Sequence, residues 1–165
     1  MSEAWLRRFV EESNKIEGIH GVAPHELEAH EQLLAKRELK ILDLSYFVSQ
    51  IAEGHVLRNI KGLNVRVGDH IAPEGGWIVP STLDTILFGL NSTTPYQTHL
   101  AYENLHPFTD GNGRSGRALW LWQHLNTTFG MPGRVKGLGF LHTFYYETLR
   151  ESDERYHSAN QHVRR

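Results

Sequence analysis

One run constrains this chain more than any other: His106-Pro107-Phe108-Thr109-Asp110-Gly111-Asn112-Gly113-Arg114-Ser115-Gly116-Arg117. The glycines let the backbone bend sharply, so the run reads as a turn. Beyond it Ala118, Leu121, Trp122 and Leu125 recur at helical spacing, so the turn opens directly into a helix. A glycine turn that aims successive N–H groups one way, joined to the positive end of a helix dipole, is a nest for an anion such as phosphate. Extending the apolar stripe back four residues from Ala118 and Leu121 reaches Arg114 and Arg117, which places both guanidinium groups on the core side. Charges buried there require an anionic partner. Taken singly, a histidine, a turn aspartate or two arginines three apart have ordinary structural explanations; their concentration in one segment does not.

The rest of the chain reads as helices around that segment. Leu6, Val10, Ser13 and Glu17 stand at i, i+4, i+7 and i+11, with Trp5, Phe9 and Ile16 beside them, predicting an amphipathic helix that stops at Gly18. Glu17 therefore falls on or beside its buried face. A second helix opens with Pro24 as its first residue and runs through Leu27, His30 and Leu34. A third is expected from about Glu38, with Leu44, Val48, Ile51 and His55 on one stripe. Between 60 and 79 the helical period vanishes. There Val65-Arg66-Val67 alternates, and a turn-rich 72–76 leads to Trp77-Ile78-Val79, which predicts a short hairpin. Helical pattern returns at Ser81–Leu90, and Thr94-Pro95 caps a helix towards Leu105. After a break at Gly130, Pro132 and Gly133, a closing helix is expected from Leu141 towards Tyr156, with Phe140, Phe144, Tyr145 and Tyr146 as core. No repeat or linker interrupts the pattern, so 1–165 is read as a single, mainly α domain with a small β-hairpin.

Several familiar motifs fail on physical grounds. Gly111-Asn112-Gly113-Arg114-Ser115-Gly116 matches the dinucleotide pattern G-x-G-x-x-G, but a helical stretch precedes it, and no Asp or Glu lies between Asp110 and Glu147 to hold a ribose. His25 and His30 flank a zinc-protease look-alike, yet five residues separate them by about 140° around a helix. That segment is read as a solvated helix. No Walker-type Gly-Lys-Ser/Thr loop occurs.

Composition closes other routes. With 17 Lys+Arg against 19 Asp+Glu the net charge is −2, which supplies no general field for nucleic acid. Cysteine is absent, excluding a thiolate metal site or a cysteine nucleophile and fitting a reducing compartment. The 1–14 segment lacks the layout of a secretory signal, and no apolar stretch approaches the roughly 20 residues of a bilayer span. A cytoplasmic protein without membrane or nucleic-acid partners is the expectation.

The 106–117 run resembles the signature H-P-F-x-[D/E]-G-N-G-R-x-x-R of Fic-domain proteins at every defined position. Ser13-Asn14-Lys15-Ile16-Glu17-Gly18 likewise resembles that family's inhibitory motif, [S/T]-x-x-x-E-[G/N], on an N-terminal helix, and the 60–79 hairpin its flap. The resemblance implies a protein adenylyltransferase moving AMP from ATP to a Ser, Thr or Tyr hydroxyl. It implies His106 as general base, Asp110 as the Mg²⁺ ligand, and Gly111, Asn112, Gly113, Arg114 and Arg117 as the nucleotide cradle. Ser13 and Glu17 would be inhibitory, with Glu17 on Arg117 in place of the γ-phosphate, while Val65, Arg66 and Val67 would dock an unidentified target protein. Removal of AMP, transfer of another nucleotide or of phosphate, and a non-catalytic nucleotide-binding module stay open, as does self-association.

Overall fold

The computed structural model describes residues 1–67 and 70–127. Over these the chain is mainly helical, in the order α1 (Glu3–Ile16), α2 (Pro24–Leu34), α3 (Ile41–Ile51), β1 (Arg66–Val67), β2 (His70–Ile71), α4 (Ile78–Phe88), α5 (Pro95–Leu105) and α6 (Asn112–Asn126). The closing helix, the 130–133 break and the aromatic group at 140–146 expected from the sequence lie outside the described residues. Among the described residues no helix is long and apolar enough to cross a membrane.

α6 is the centre of the assembly, packing against α1, α2, α3 and α5. Its burial extends round the cylinder, with Ala118, Leu119, Leu121 and Trp122 nearly inaccessible alongside the polar Ser115 and Gln123. A helix covered on all sides loses the one-faced pattern of a surface helix. Leu119 and Trp122 join the larger core with Leu44, Phe47, Val48, Leu83 and Tyr102. On the opposite side Leu121 meets Leu6, Phe9 and Val10 of α1 and Leu27 of α2 in a second cluster. Burying a side chain of this size contributes roughly 1.5–3 kcal/mol, so α1 is held by its own small core, with Phe9 and Val10 both fully buried.

Local chemistry fixes the helix ends. Ser2 caps α1 through its hydroxyl, and Glu17 is the first residue beyond it. Thr94 and Gln97 form a reciprocal capping box at the start of α5. α3 starts later than the 38 expected: the Asp43 carboxylate accepts the Lys40 N–H at 2.9 Å, a cap that sets the first turn at Ile41. It ends at Ile51, leaving His55 beyond the helix rather than on its stripe.

The hairpin also differs from expectation. β1 pairs antiparallel with β2, Arg66 opposite Ile71 and Val67 opposite His70. Trp77-Ile78-Val79 is not the returning strand but the entry to α4. Val79, Leu83 and Leu87 are its buried residues, so the four-residue period begins at Val79, and Pro80 falls in the first turn where its missing N–H costs nothing.

Candidate functional site

The end of α5 and the start of α6 face each other across the turn at 106–111. His106 caps α5 in the left-handed conformation, φ 48° and ψ 62°, the one non-glycine residue at positive φ among the described residues. That conformation costs an L-residue about 1–2 kcal/mol, and it swings the chain away from the helix axis before Pro107. Phe108, fully buried, anchors the turn in the core, and Leu57 bridges to it from the far side. Asn112 closes the loop: its Oδ1 accepts the Phe108 N–H and its Nδ2 donates to the Phe108 carbonyl, both at 2.8 Å. Its side chain is therefore committed to the turn, and its contribution to a nest is its backbone N–H.

Gly111 precedes α6 at φ 76°, where a Cβ would also press on Ala52. The turn thus requires glycine there. At Gly113 any side chain would run into the Glu17 carboxylate and the Arg117 guanidinium. The first amides of α6 lack partners within their own helix and carry the positive end of its dipole.

These residues border a cavity of about 530 Å³. His106, Asp110, Gly111, Asn112, Gly113, Arg114, Glu17, Val65 and Arg66 all line it, so residues separated by up to 97 positions share one space. Val67 contributes its backbone to β1. Ser13 and Arg117 lie beneath the surface, 1% exposed each.

The imidazole of His106 is oriented. Its Nδ1 lies 3.2 Å from the Glu103 carbonyl oxygen. An acceptor facing Nδ1 requires the proton on that nitrogen, which leaves the Nε2 lone pair to accept one. Burial lowers the pKa of His106 below its ordinary 6.5, the nearby Arg58 charge acting the same way and the Glu103 hydrogen bond opposing. The neutral, proton-accepting form therefore prevails at neutral pH.

Asp110 is an exposed carboxylate at the rim. Its Oδ1 accepts the Gly111 N–H at 2.6 Å, and Oδ2 stands 3.6 Å from His55 Nε2. His55 also meets the Thr109 hydroxyl at 3.1 Å.

Arg117 is held from α1. Its Nε donates to the Ser13 hydroxyl at 2.8 Å, and one terminal nitrogen donates to the Ser13 carbonyl at 2.9 Å and the Glu17 carboxylate at 2.6 Å. The motif residues on α1 thus reach the last arginine of the 106–117 run. Glu17 is 38% exposed at its side chain and Arg117 1%, so the carboxylate stands between the guanidinium and the cavity.

Arg114 has an internal partner that the sequence did not reveal. Its guanidinium lies 3.5 Å from Glu26 of α2, whose carboxylate also accepts from Asn14 Nδ2 and the Ala23 N–H. The 25–30 segment is therefore not simply a solvated helix: His25 is exposed, but Glu26 and His30 are buried. Glu26 stands four residues before His30, and with His30 on the buried stripe that spacing was the available signal.

Glu103 is the second residue the sequence reading missed. It lines the cavity, and its carboxylate lies 4.0 Å from both His106 Nδ1 and His99 Nε2. Burial pushes its pKa up to about 7, with Arg117 lowering it and Glu17 raising it. A glutamate on a helix is ordinarily solvated, so nothing in the sequence distinguishes this one.

Residues 94–123, covering α5, the turn and most of α6, match the model of the Fic/DOC family. No curated protein matches the chain.

Proposed function

We propose that this Fic-domain protein is a protein adenylyltransferase kept inactive by its own first helix. The observation that supports transfer is His106 itself: a neutral imidazole with Nδ1 tied to the Glu103 carbonyl, facing the same cavity as the N-terminus of α6. Simple nucleotide binding has no use for an oriented base. In the proposed reaction a target hydroxyl oxygen bonds to the α-phosphorus of ATP, and the bond from that phosphorus to the bridging oxygen of the β-phosphate breaks. Pyrophosphate leaves, and His106 Nε2 takes the hydroxyl proton. The amides at Gly111, Asn112 and Gly113, with Arg114, would hold phosphate oxygens.

Asp110 would hold Mg²⁺. A single exposed carboxylate suits a hard cation that arrives with phosphate oxygens, and no group of three His, Asp or Glu able to make an all-protein site occurs among the described residues. When bound, the ion would neutralise charge on the transferring phosphate.

Inhibition rests on the Glu17–Arg117 contact. A carboxylate on that guanidinium takes the place a γ-phosphate would need, so ATP would seat out of line for attack. The target would add as a strand beside β1, bringing its hydroxyl past Val65 and Arg66 to His106.

Removal of AMP is the second reading, favoured by Glu17 lining the cavity beside His106, where its carboxylate could direct water. ATP labelled on the α-phosphate, and separately on the γ-phosphate, tests these readings. Retention of only the α label on protein by the Glu17→Gly chain, abolished when His106→Ala is added, is the result expected. Retention of the γ label, or removal of AMP from a modified protein without any labelling, would replace the proposal.

A further inference from the structure

Arg58 lies between α3 and β1, and it is withdrawn from water entirely. A guanidinium stays charged, and burying it is costly unless its N–H groups are all engaged. Among the described residues its acceptors are main-chain carbonyls. Nε donates to His106 at 2.6 Å and one terminal nitrogen to Leu105 at 2.7 Å. The other terminal nitrogen donates to Pro73 at 2.8 Å and Leu63 at 3.2 Å.

These four carbonyls fall into two sets. Leu105 and His106 are at the C-terminus of α5, where helix carbonyls lack partners and positive charge is favoured. Leu63 and Pro73 flank the hairpin, one before β1 and one after β2. The main chain of Arg58 repeats the bridge: its N–H donates to the Pro107 carbonyl, and its own carbonyl accepts from Gly76, both at 2.9 Å. One rigid fork therefore spans the residue in the left-handed conformation and both arms of the hairpin. A lysine, with a single ammonium, cannot reach four carbonyls in that geometry.

We infer that Arg58 is a positioning residue, holding the strained His106 and the hairpin in one fixed relation so that a base and a docked strand meet in register. The kinetic half of this inference rests on the AMP-transfer reading; the geometric half does not. A left-handed residue persists only where its surroundings over-determine it, and the Arg58 fork supplies that constraint.

The test uses the full chain carrying Glu17→Gly, with and without Arg58→Lys. Nitrogen NMR of the histidine rings should show His106 as the Nδ1-protonated tautomer in the parent and as a tautomer mixture after Arg58→Lys, with faster amide exchange at Gly76. Turnover should fall about 100-fold while the KM for ATP stays within about twofold, because misplacing a base by an ångström costs rate rather than nucleotide binding. A folded Arg58→Lys protein with unchanged His106 ring signals and unchanged Gly76 exchange would overturn the inference. If the parent transfers no AMP, the functional proposal fails while the ring signals still decide this one. Should Arg58→Lys not fold, the unsubstituted Arg58 decides: its Nε–H should exchange slowly and show coupling across the hydrogen bond to the His106 carbonyl. Rapid exchange without that coupling would overturn the inference.

Discussion

The Glu17 carboxylate lies 2.6 Å from the Arg117 guanidinium, joining the end of α1 to the second turn of α6 across a separation of 100 residues. α1 is thereby held at two levels: the apolar cluster around Phe9 and Leu121 sets where the helix lies, and the ion pair sets what its last turn covers. The second level can be removed without the first.

Gly113→Ala places a methyl group where Glu17 and Arg117 meet. Overpacking of this kind costs about 1–3 kcal/mol, whereas alanine in a helix is favoured over glycine by about 1 kcal/mol when space allows. The substitution should therefore lower the melting temperature of the wild-type chain but be tolerated, or stabilising, beside Glu17→Gly. A double-mutant cycle by thermal unfolding should give a coupling larger than about 0.5 kcal/mol. Additive shifts would show that the carboxylate does not occupy that space.

Glu103→Gln isolates a buried carboxyl whose native pKa, about 7, exceeds its ordinary 4.5. A group raised on folding contributes stability that is complete below its unfolded pKa and is lost as pH rises through the folded value. Glutamine imitates the protonated form and escapes that loss. The stability difference, variant minus wild type, should grow in the variant's favour from pH 4.5 to above pH 7. His30, lowered by burial to about 4, acts oppositely as pH falls from 6.5, but its contribution cancels in the difference. A pH-independent difference across the window would contradict the burial of Glu103.

Asn112→Asp exchanges a donor for an acceptor opposite the Phe108 carbonyl, in a site only 2% exposed. The loss should be about 1–3 kcal/mol at neutral pH, shrinking in acid once the new carboxyl is protonated and can donate again. Chemical unfolding at two pH values measures it. An unchanged neutral-pH stability would mean that Asn112 does not hold the turn.

Local signals carried much of the fold. Thr94 with Pro95, and Pro24, mark helix starts through side chains within a few residues of each other, and such chemistry is readable in order along the chain. The Asp43 cap on Lys40 is equally local, and it sets the start of α3 later than the apolar stripe alone suggests. Trp77-Ile78-Val79 misled because three apolar residues after glycines fit either a buried strand or a helix start; the Val79-Leu83-Leu87 period decides between them. At the site, the buried direction of Arg114 and Arg117 followed from the stripe on α6. The partner of Arg114 did not, because Glu26 lies 88 residues away on a helix whose placement no local rule specifies. Glu103 was hidden for a related reason: only the packing of α5 on α6 withdraws it from water.

The most direct test is AMP incorporation by three forms of the full chain, wild type, Glu17→Gly, and Glu17→Gly with His106→Ala, given ATP, Mg²⁺ and a lysate. Intact mass and α-phosphate label are the readouts. Glu17→Gly alone should add AMP to itself or to a lysate protein, with wild type far weaker and the double variant silent. Equal labelling of wild type and Glu17→Gly would contradict inhibition by Glu17. Three forms that bind ATP and stay unlabelled would contradict AMP transfer itself.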